Sequence, residues 1–124
     1  MPPGQTWDPF AAAPLIAEGV EVRVDSQGLF QVRKTPPPKR SLASSLAQRL
    51  GLQRHVRVNL DAYGTLFWRQ IDGRHTLRDI ERLIRQQTQQ DAKESEKATI
   101  LFTKMLMLRR LIHLMMPKQG EGGA

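Results

Sequence analysis

Three short stretches of the chain alternate between apolar and polar residues, which is the period of a β-strand. Two of them, residues 20–24 and 29–33, flank the turn-forming sequence Asp-Ser-Gln-Gly. Three prolines at 36–38 then end the second stretch, because proline lacks the N–H that a ladder requires. These two stretches predict a β-hairpin, and residues 55–60 predict a third strand.

Apolar residues recur at helical spacing in the rest of the chain. Leucines at 42, 46 and 50 predict a short helix before the third strand. Asp61 is placed to cap the next helix, and Thr76 with Asp79 forms the capping-box pattern of the one after it. Gly64 is costly inside a helix, so we expect it to leave room for a close neighbour.

The last predicted helix begins near Asp91, with Glu94 at capping-box distance, and extends to about Leu114. Its wide apolar stripe indicates contact with more than one element. The stripe consists of Leu101, Met105, Leu108 and Ile112, widened by Phe102 and Leu106.

Strands followed by helices predict an α+β fold, in which a small three-stranded antiparallel sheet packs on a three-helix bundle, with one short extra helix. Residues 18–116 form the predicted domain, including a proline-rich connection and the short helix at 36–53. Residues 1–17, rich in proline and alanine, predict a flexible arm that Trp7 and Phe10 could dock. Residues 117–124 predict a disordered tail.

Composition narrows the class of protein. The 124 residues suit one domain, and they contain no cysteine, which excludes disulfide frameworks, thiolate zinc sites and cysteine nucleophiles. Neither a secretory signal nor an apolar run of about 20 residues is visible, so we expect a cytoplasmic protein with no membrane partner.

The basic charge is unevenly distributed. The net charge is +7, and no acidic residue lies between Gln27 and Leu60, where seven lysines and arginines lie. Such a one-sided run favours an anionic partner about as strongly as a solvated surface.

No catalytic constellation is visible. The histidines His55, His75 and His113 are far apart and show no metal-ligand spacing. There is no GxSxG, Walker or GxGxxG motif. We therefore expect a non-enzyme without metal or cofactor.

Residues 60–80, LDAYGTLFWRQIDGRHTLRDI, carry a family resemblance. They resemble the PqqD-like family pattern LDxxGxxxWxxIDGxxTxxxI, and the hairpin and residues 102–114 are also similar to that family. The resemblance covers residues 20–114. The matching positions are Leu60, Asp61, Gly64, Trp68, Ile71, Asp72, Gly73, Thr76 and Ile80.

The resemblance implies a winged helix-turn-helix-like domain, called a RiPP recognition element, that acts as a peptide chaperone. Such a domain, as in pyrroloquinoline quinone biosynthesis, captures the leader segment of a ribosomally made precursor peptide. It presents that leader to a modifying enzyme, often a radical S-adenosylmethionine enzyme. The leader adds as a strand beside the third strand and packs against the last helix. The candidate peptide-binding residues are Arg54, His55, Val56, Arg57, Val58, Asn59, Phe102, Met105, Leu106 and Arg109.

Two alternatives stay open. One is a DNA-binding winged helix whose second helix presents Arg78, Arg82 and Arg85 to the major groove. Asp79 and Glu81 interleave with those arginines, which argues against nucleic acid. The other is a non-catalytic scaffold subunit, which could form a homodimer through the leucine helix.

Overall fold

The computed structural model describes residues 8–35 and 55–116, and within them the chain folds as an α+β domain. It begins with a short 3-10 helix, Pro9–Ala11. The strands are β1 (Ala13–Ile16), β2 (Val20–Val24), β3 (Phe30–Lys34), β4 (Val56–Asn59) and β5 (Ile112–Met115). The helices are α1 (Ala62–Arg69), α2 (Leu77–Thr88) and α3 (Ala92–Leu108).

The larger sheet has the strand order β2-β3-β4, and both pairings are antiparallel. Val22 lies opposite Val32, and Val32 lies opposite Val58, so one row of valines crosses all three strands. The predicted hairpin, third strand and three-stranded antiparallel sheet are confirmed.

All three helices begin at the predicted caps. The Asp61 carboxylate accepts a hydrogen bond from the Gly64 N–H over 2.8 Å. Thr76 and Asp79 form the reciprocal capping box of α2. The Asp91 carboxylate accepts from the Glu94 N–H over 2.7 Å at the start of α3. Each cap satisfies a backbone donor that a helix start leaves without a partner.

The core lies between one face of the larger sheet and the helices. Val32 is the fully buried residue that the larger sheet adds to this core. Side chains of the three helices and of the segment after α3 surround Val32. The fully buried large side chains include Phe67, Leu77, Ile80, Ile84, Leu106 and Leu111. Gly64 allows this packing, because an added Cβ would lie 3.0 Å from the Phe102 ring.

A second sheet, which the sequence analysis missed, pairs β1 with β5. The arm expected to be flexible therefore contains a strand at residues 13–16, and the prediction was wrong there. The Ala12 carbonyl accepts from the Leu77 N–H over 2.8 Å, and the Ala17 N–H donates to the Leu111 carbonyl over 3.0 Å. These bonds fasten the segment to the start of α2 and to the end of the domain.

The last helix also differs from the prediction, because α3 ends at Leu108 and residues 112–115 form β5. Arg110 has a φ of 59°, a left-handed conformation that stops a helix. The predicted apolar stripe was wrong at two positions, since Leu101 is 61% and Leu108 is 84% exposed, whereas Leu106 and Ile112 are buried. The buried face of α3 consists of Ser95, Thr99, Thr103 and Leu106.

Small polar side chains on α3 allow it to lie close to α2. The Ser95 hydroxyl approaches the Glu81 carbonyl to 3.5 Å, and Thr103 satisfies its own hydroxyl by donating to the Thr99 carbonyl. The predicted leucine helix and proline-rich connection at 36–53, Arg54 and the tail at 117–124 lie outside the described residues. No helix in the described segments has both the length and the apolar character to cross a bilayer.

Candidate functional site

The candidate strand, β4, has a backbone edge to which no described strand is paired. The Leu60 N–H donates to the Phe30 carbonyl over 2.8 Å, so Leu60 points its backbone groups towards β3. Backbone groups of successive residues in a strand point to opposite edges. Val56 and Val58 therefore also face β3, whereas the N–H and C=O groups of Arg57 and Asn59 point away from it.

The side chains of β4 alternate between two different surroundings. Val56 and Val58 are half-buried against the core, and Arg57 and Asn59 are exposed on the outer face of the sheet. The Asn59 side-chain carbonyl accepts from the Gln31 side-chain amide over 2.8 Å. Asn59 is thus held on the outer surface, beside the free backbone edge.

The outer face is basic near the beginning of β4. Arg57 lies opposite Arg33, and Arg33 lies opposite Glu21 on β2. Neither arginine forms an ion pair with another described residue. A depression of about 380 Å³ lies here, and its lining includes His55, Arg57, Arg33 and Glu21. Its charge suits an acidic side chain.

The second half of α3 and the segment after it contact residues that neighbour β4. The Lys34 ammonium donates to the Arg110 carbonyl over 2.7 Å, and Lys34 is the partner of Val56. At the other end, a Cβ on Gly64 would lie 3.0 Å from the Phe102 ring and 3.1 Å from the Leu60 Cβ. Side chains of both predicted elements, Val56 and Val58 of β4 and Phe102 and Met105 of α3, pack against the same core.

The four candidate residues of α3 have different environments. Phe102 is half-buried and packs edge-on against Phe67, with ring centroids 4.8 Å apart. Met105 is half-buried against the core, and Arg109 is exposed at the end of the helix. Leu106 is fully buried, so its prediction as a surface contact was wrong and it is a core residue. The apolar stripe in the sequence could not separate Leu106 from Met105, because both lie near the same helix face.

The arginines of α2 do not share an exposed side. Arg78 donates to the Glu81 carboxylate over 2.9 Å and forms a second ion pair of 2.9 Å with Glu96. Arg85 Nε lies 2.9 Å from the same buried Glu81 carboxylate. Of the three, only Arg82 is classed among the exposed residues. Arg78 and Arg85 are each 31% exposed and are held by Glu81, because a buried carboxylate requires cationic partners.

A second concave surface lies on the opposite side of α3. It is an apolar groove of about 480 Å³ lined in part by Phe10, Ile100, Met107 and Leu114. The Arg78 guanidinium covers the Phe10 ring, 4.1 Å from its centroid. This groove could not be predicted from the sequence, because it depends on residues 8–16 and on β5 lying beside α3.

Possible metal ligands are sparse in the part of the chain that the structure describes. Within the described segments, no three His, Asp or Glu residues are close enough together to hold a metal ion. His75 contacts Asp72 at 2.8 Å in an exposed turn. The backbone N–H groups of His75 and Arg74 donate to the Asp72 carboxylate and lower its pKa. This carboxylate therefore stabilises the turn. Burial raises the pKa of Tyr63.

Comparison of the chain with protein-family models, with curated proteins and with solved structures gave no match in any of the three.

Proposed function

We propose that this chain is a non-catalytic peptide-binding protein that captures the leader segment of a precursor peptide by strand addition at β4. It then presents the peptide to a modifying enzyme, such as a radical S-adenosylmethionine enzyme. The resemblance of residues 60–80 to PqqD-like proteins motivates the proposal. The observation that carries it is the β4 edge, where the backbone groups of Arg57 and Asn59 point away from β3.

Strand addition uses backbone hydrogen bonds for affinity and alternating side-chain contacts for specificity. A peptide at this edge bonds to Arg57 and Asn59. Its side chains on the inner face pack towards Met105 and Phe102, and those on the outer face lie near Arg57 and Arg33. The preferred leader is therefore an extended segment in which apolar residues alternate with acidic or polar ones.

The DNA-binding alternative has weaker support. Recognition by α2 in a major groove requires its arginines to reach phosphates or bases. Arg78 and Arg85 are instead paired with Glu81, and separating them leaves a buried carboxylate without partners. Arg82 by itself supplies too few contacts for a DNA-recognition helix.

The decisive experiment is a titration of the protein with a labelled leader peptide encoded beside its gene. Arg57→Pro removes the outward N–H without removing a hydrogen bond to β3, so we expect peptide affinity to fall by about tenfold or more. Arg57→Gln is the matched control, because it removes the charge and keeps the N–H, and it should bind only a few times more weakly. Equal affinities for wild type and Arg57→Pro would exclude strand addition at β4.

The ligand offers a second control. Backbone N-methylation of alternate peptide residues, on the side that faces β4, should abolish binding, whereas methylation of the intervening residues should not.

Labelled duplex DNA tests the DNA-binding alternative. Electrostatic DNA binding weakens steeply as salt rises, and strand addition weakens much less. Salt-sensitive DNA binding without peptide-induced shifts in the amides of Arg57 and Asn59 would favour the alternative.

A further inference from the structure

The opposite edge of the sheet, β2, also has outward backbone groups. The Asp25 N–H donates to the Leu29 carbonyl over 2.9 Å at the turn, and Glu21 and Arg23 have the same orientation as Asp25. Val20, Val22 and Val24 therefore point their N–H and C=O groups away from β3. No strand in the described residues pairs with this edge.

Two β2 valines also lack cover on the inner face of the sheet. Val22 is 37% and Val24 is 61% exposed, although their neighbour Val32 is completely buried. Within the described residues, the core thus extends under β3 and reaches Val20 of β2, but it leaves Val22 and Val24 exposed. An uncovered edge with exposed valines is a template for pairing with another strand.

The outer face of β2 identifies the partner. It carries one acid, Glu21, and one base, Arg23, placed symmetrically about Val22. If a second copy pairs antiparallel with Val22 opposite Val22, Glu21 of each copy lies opposite Arg23 of the other. Shifting the centre to Glu21 sets two carboxylates opposite each other, and shifting it to Arg23 sets two guanidinium groups opposite each other. Such like-charge pairs are destabilising, so one register is favoured.

We propose that two copies of this chain pair through β2, antiparallel and centred on Val22. The outward groups of Val20, Val22 and Val24 then bond to those of Val24, Val22 and Val20 in the second copy, as isologous pairing requires. The two sheets join into one of six strands, and the exposed valines of both copies form one apolar row. The described helices of both copies lie on the same face of the joined sheet, where Val22 and Val24 of each copy are exposed.

This dimer leaves both β4 edges free at the two ends of the joined sheet. It does not rest on the peptide-binding proposal, because β4 takes no part in it. A pair of five-residue strands buries less than the ~1,200 Å² of a stable interface. We therefore expect a weak dimer, with a dissociation constant on the order of 100 µM.

Sedimentation equilibrium of the full chain up to about 1 mM tests the proposal. Wild type should show a monomer–dimer equilibrium. Val22→Pro should abolish the dimer because it removes the central N–H, and Val22→Thr should retain it because threonine keeps that N–H and suits a strand. A monomer at every concentration, or a dimer that survives Val22→Pro, overturns the proposal.

A charge exchange tests the register itself. Glu21→Arg and Arg23→Glu each convert both attractive pairs into repulsive ones, so each variant alone should dimerise roughly tenfold more weakly. Mixing the two variants restores opposite charges at both pairs, and a mixed dimer should form with about the wild-type affinity. Circular dichroism of each variant checks that the fold is retained. A mixture no more associated than its components overturns the register.

Discussion

β2 and β4 are the two edges of one sheet and have similar sequences, yet their apolar faces have different surroundings. Residues 20–24 read VEVRV and residues 56–60 read VRVNL. Val58 is half-buried and Leu60 is buried, because helices lie beneath β4. On β2, Val20 also packs against the core, but Val22 and Val24 are exposed.

The difference shows that alternation determines which residues share a face and leaves open what covers that face. Cover depends on where distant helices lie. This difference in cover separates the two proposed roles. At β4, where the apolar side chains are half-buried, a peptide can pair with the strand and pack towards α3. At β2, Val22 and Val24 are exposed, and the valines of a second copy would continue the same apolar row.

The largest expected contrast lies along the valine row that crosses the sheet. Val32→Ala should lower the free energy of unfolding by about 2–3 kcal/mol, because it removes two buried methyl groups and leaves a cavity. Val58→Ala should cost about 1 kcal/mol, and Val22→Ala less than ~0.5 kcal/mol. Urea unfolding at low protein concentration measures all three. Equal losses at Val22 and Val32 would mean that β2 is covered after all.

The next contrast concerns backbone amides at the two sides of β3. The Thr65 hydroxyl accepts from the Phe30 N–H over 3.0 Å in partly buried surroundings. Thr65→Val keeps the shape and leaves that N–H without a partner, which should cost about 1–2 kcal/mol. Asp25 accepts from the Gln27 and Leu29 N–H groups in an exposed turn, where water replaces it. Asp25→Asn should cost under ~0.5 kcal/mol in the same unfolding measurement.

Gly64 gives a third comparison, with Gly28 of the hairpin turn. Alanine at 64 gains about 1 kcal/mol of helix propensity and loses about 1–3 kcal/mol by crowding Phe102 and Leu60, so a net loss near 1 kcal/mol is expected. Gly64→Ala with Phe102→Leu should recover part of that loss, since the ring is the nearest obstacle.

Alanine at 28 meets no neighbour within 4 Å, but its φ of 82° strains any side chain. Its loss, also about 1 kcal/mol, should not change with Phe102→Leu. A recovery at position 28 would contradict the assignment of steric crowding to Gly64 alone.

Local features of the fold were predictable, because their causes lie within a few residues. Asp61, Thr76 and Asp91 each cap the helix that follows them, and the alternation of residues 20–24 and 55–60 predicted the strands. β1 was not predictable from proline and alanine content, since its partner β5 lies about a hundred residues further on.

The candidate site was predictable to the same extent. Alternation placed Arg57 and Asn59 on a shared outer face, and the pairing with β3 could then expose their backbone groups. The apolar stripe of α3 misled, because Thr99 and Thr103 are the buried residues and Leu101 and Leu108 are exposed. Helix periodicity assumes that the core side is the apolar side, and close packing of α3 on α2 instead selected small side chains.

Arg110 gives the smallest expected effect, and it tests why α3 ends beside β4. Its φ of 59° costs a non-glycine residue about 1 kcal/mol. Glycine avoids that cost, but its greater freedom in the unfolded chain offsets about half of the gain. Arg110→Gly should therefore stabilise the protein by about 0.5 kcal/mol, whereas Arg110→Ala should give no gain. Gln89, with a φ of 57° at the end of α2, is the matched site, and Gln89→Gly should gain a similar amount.

Because Lys34 bonds to the Arg110 carbonyl and not to its side chain, the bond between β3 and the end of α3 should survive both substitutions. If Arg110→Gly instead destabilises the protein while Gln89→Gly stabilises it, the Arg110 side chain has a role in holding α3 against β4. The contrast between the two edges would then rest on a side-chain contact as well as on the backbone.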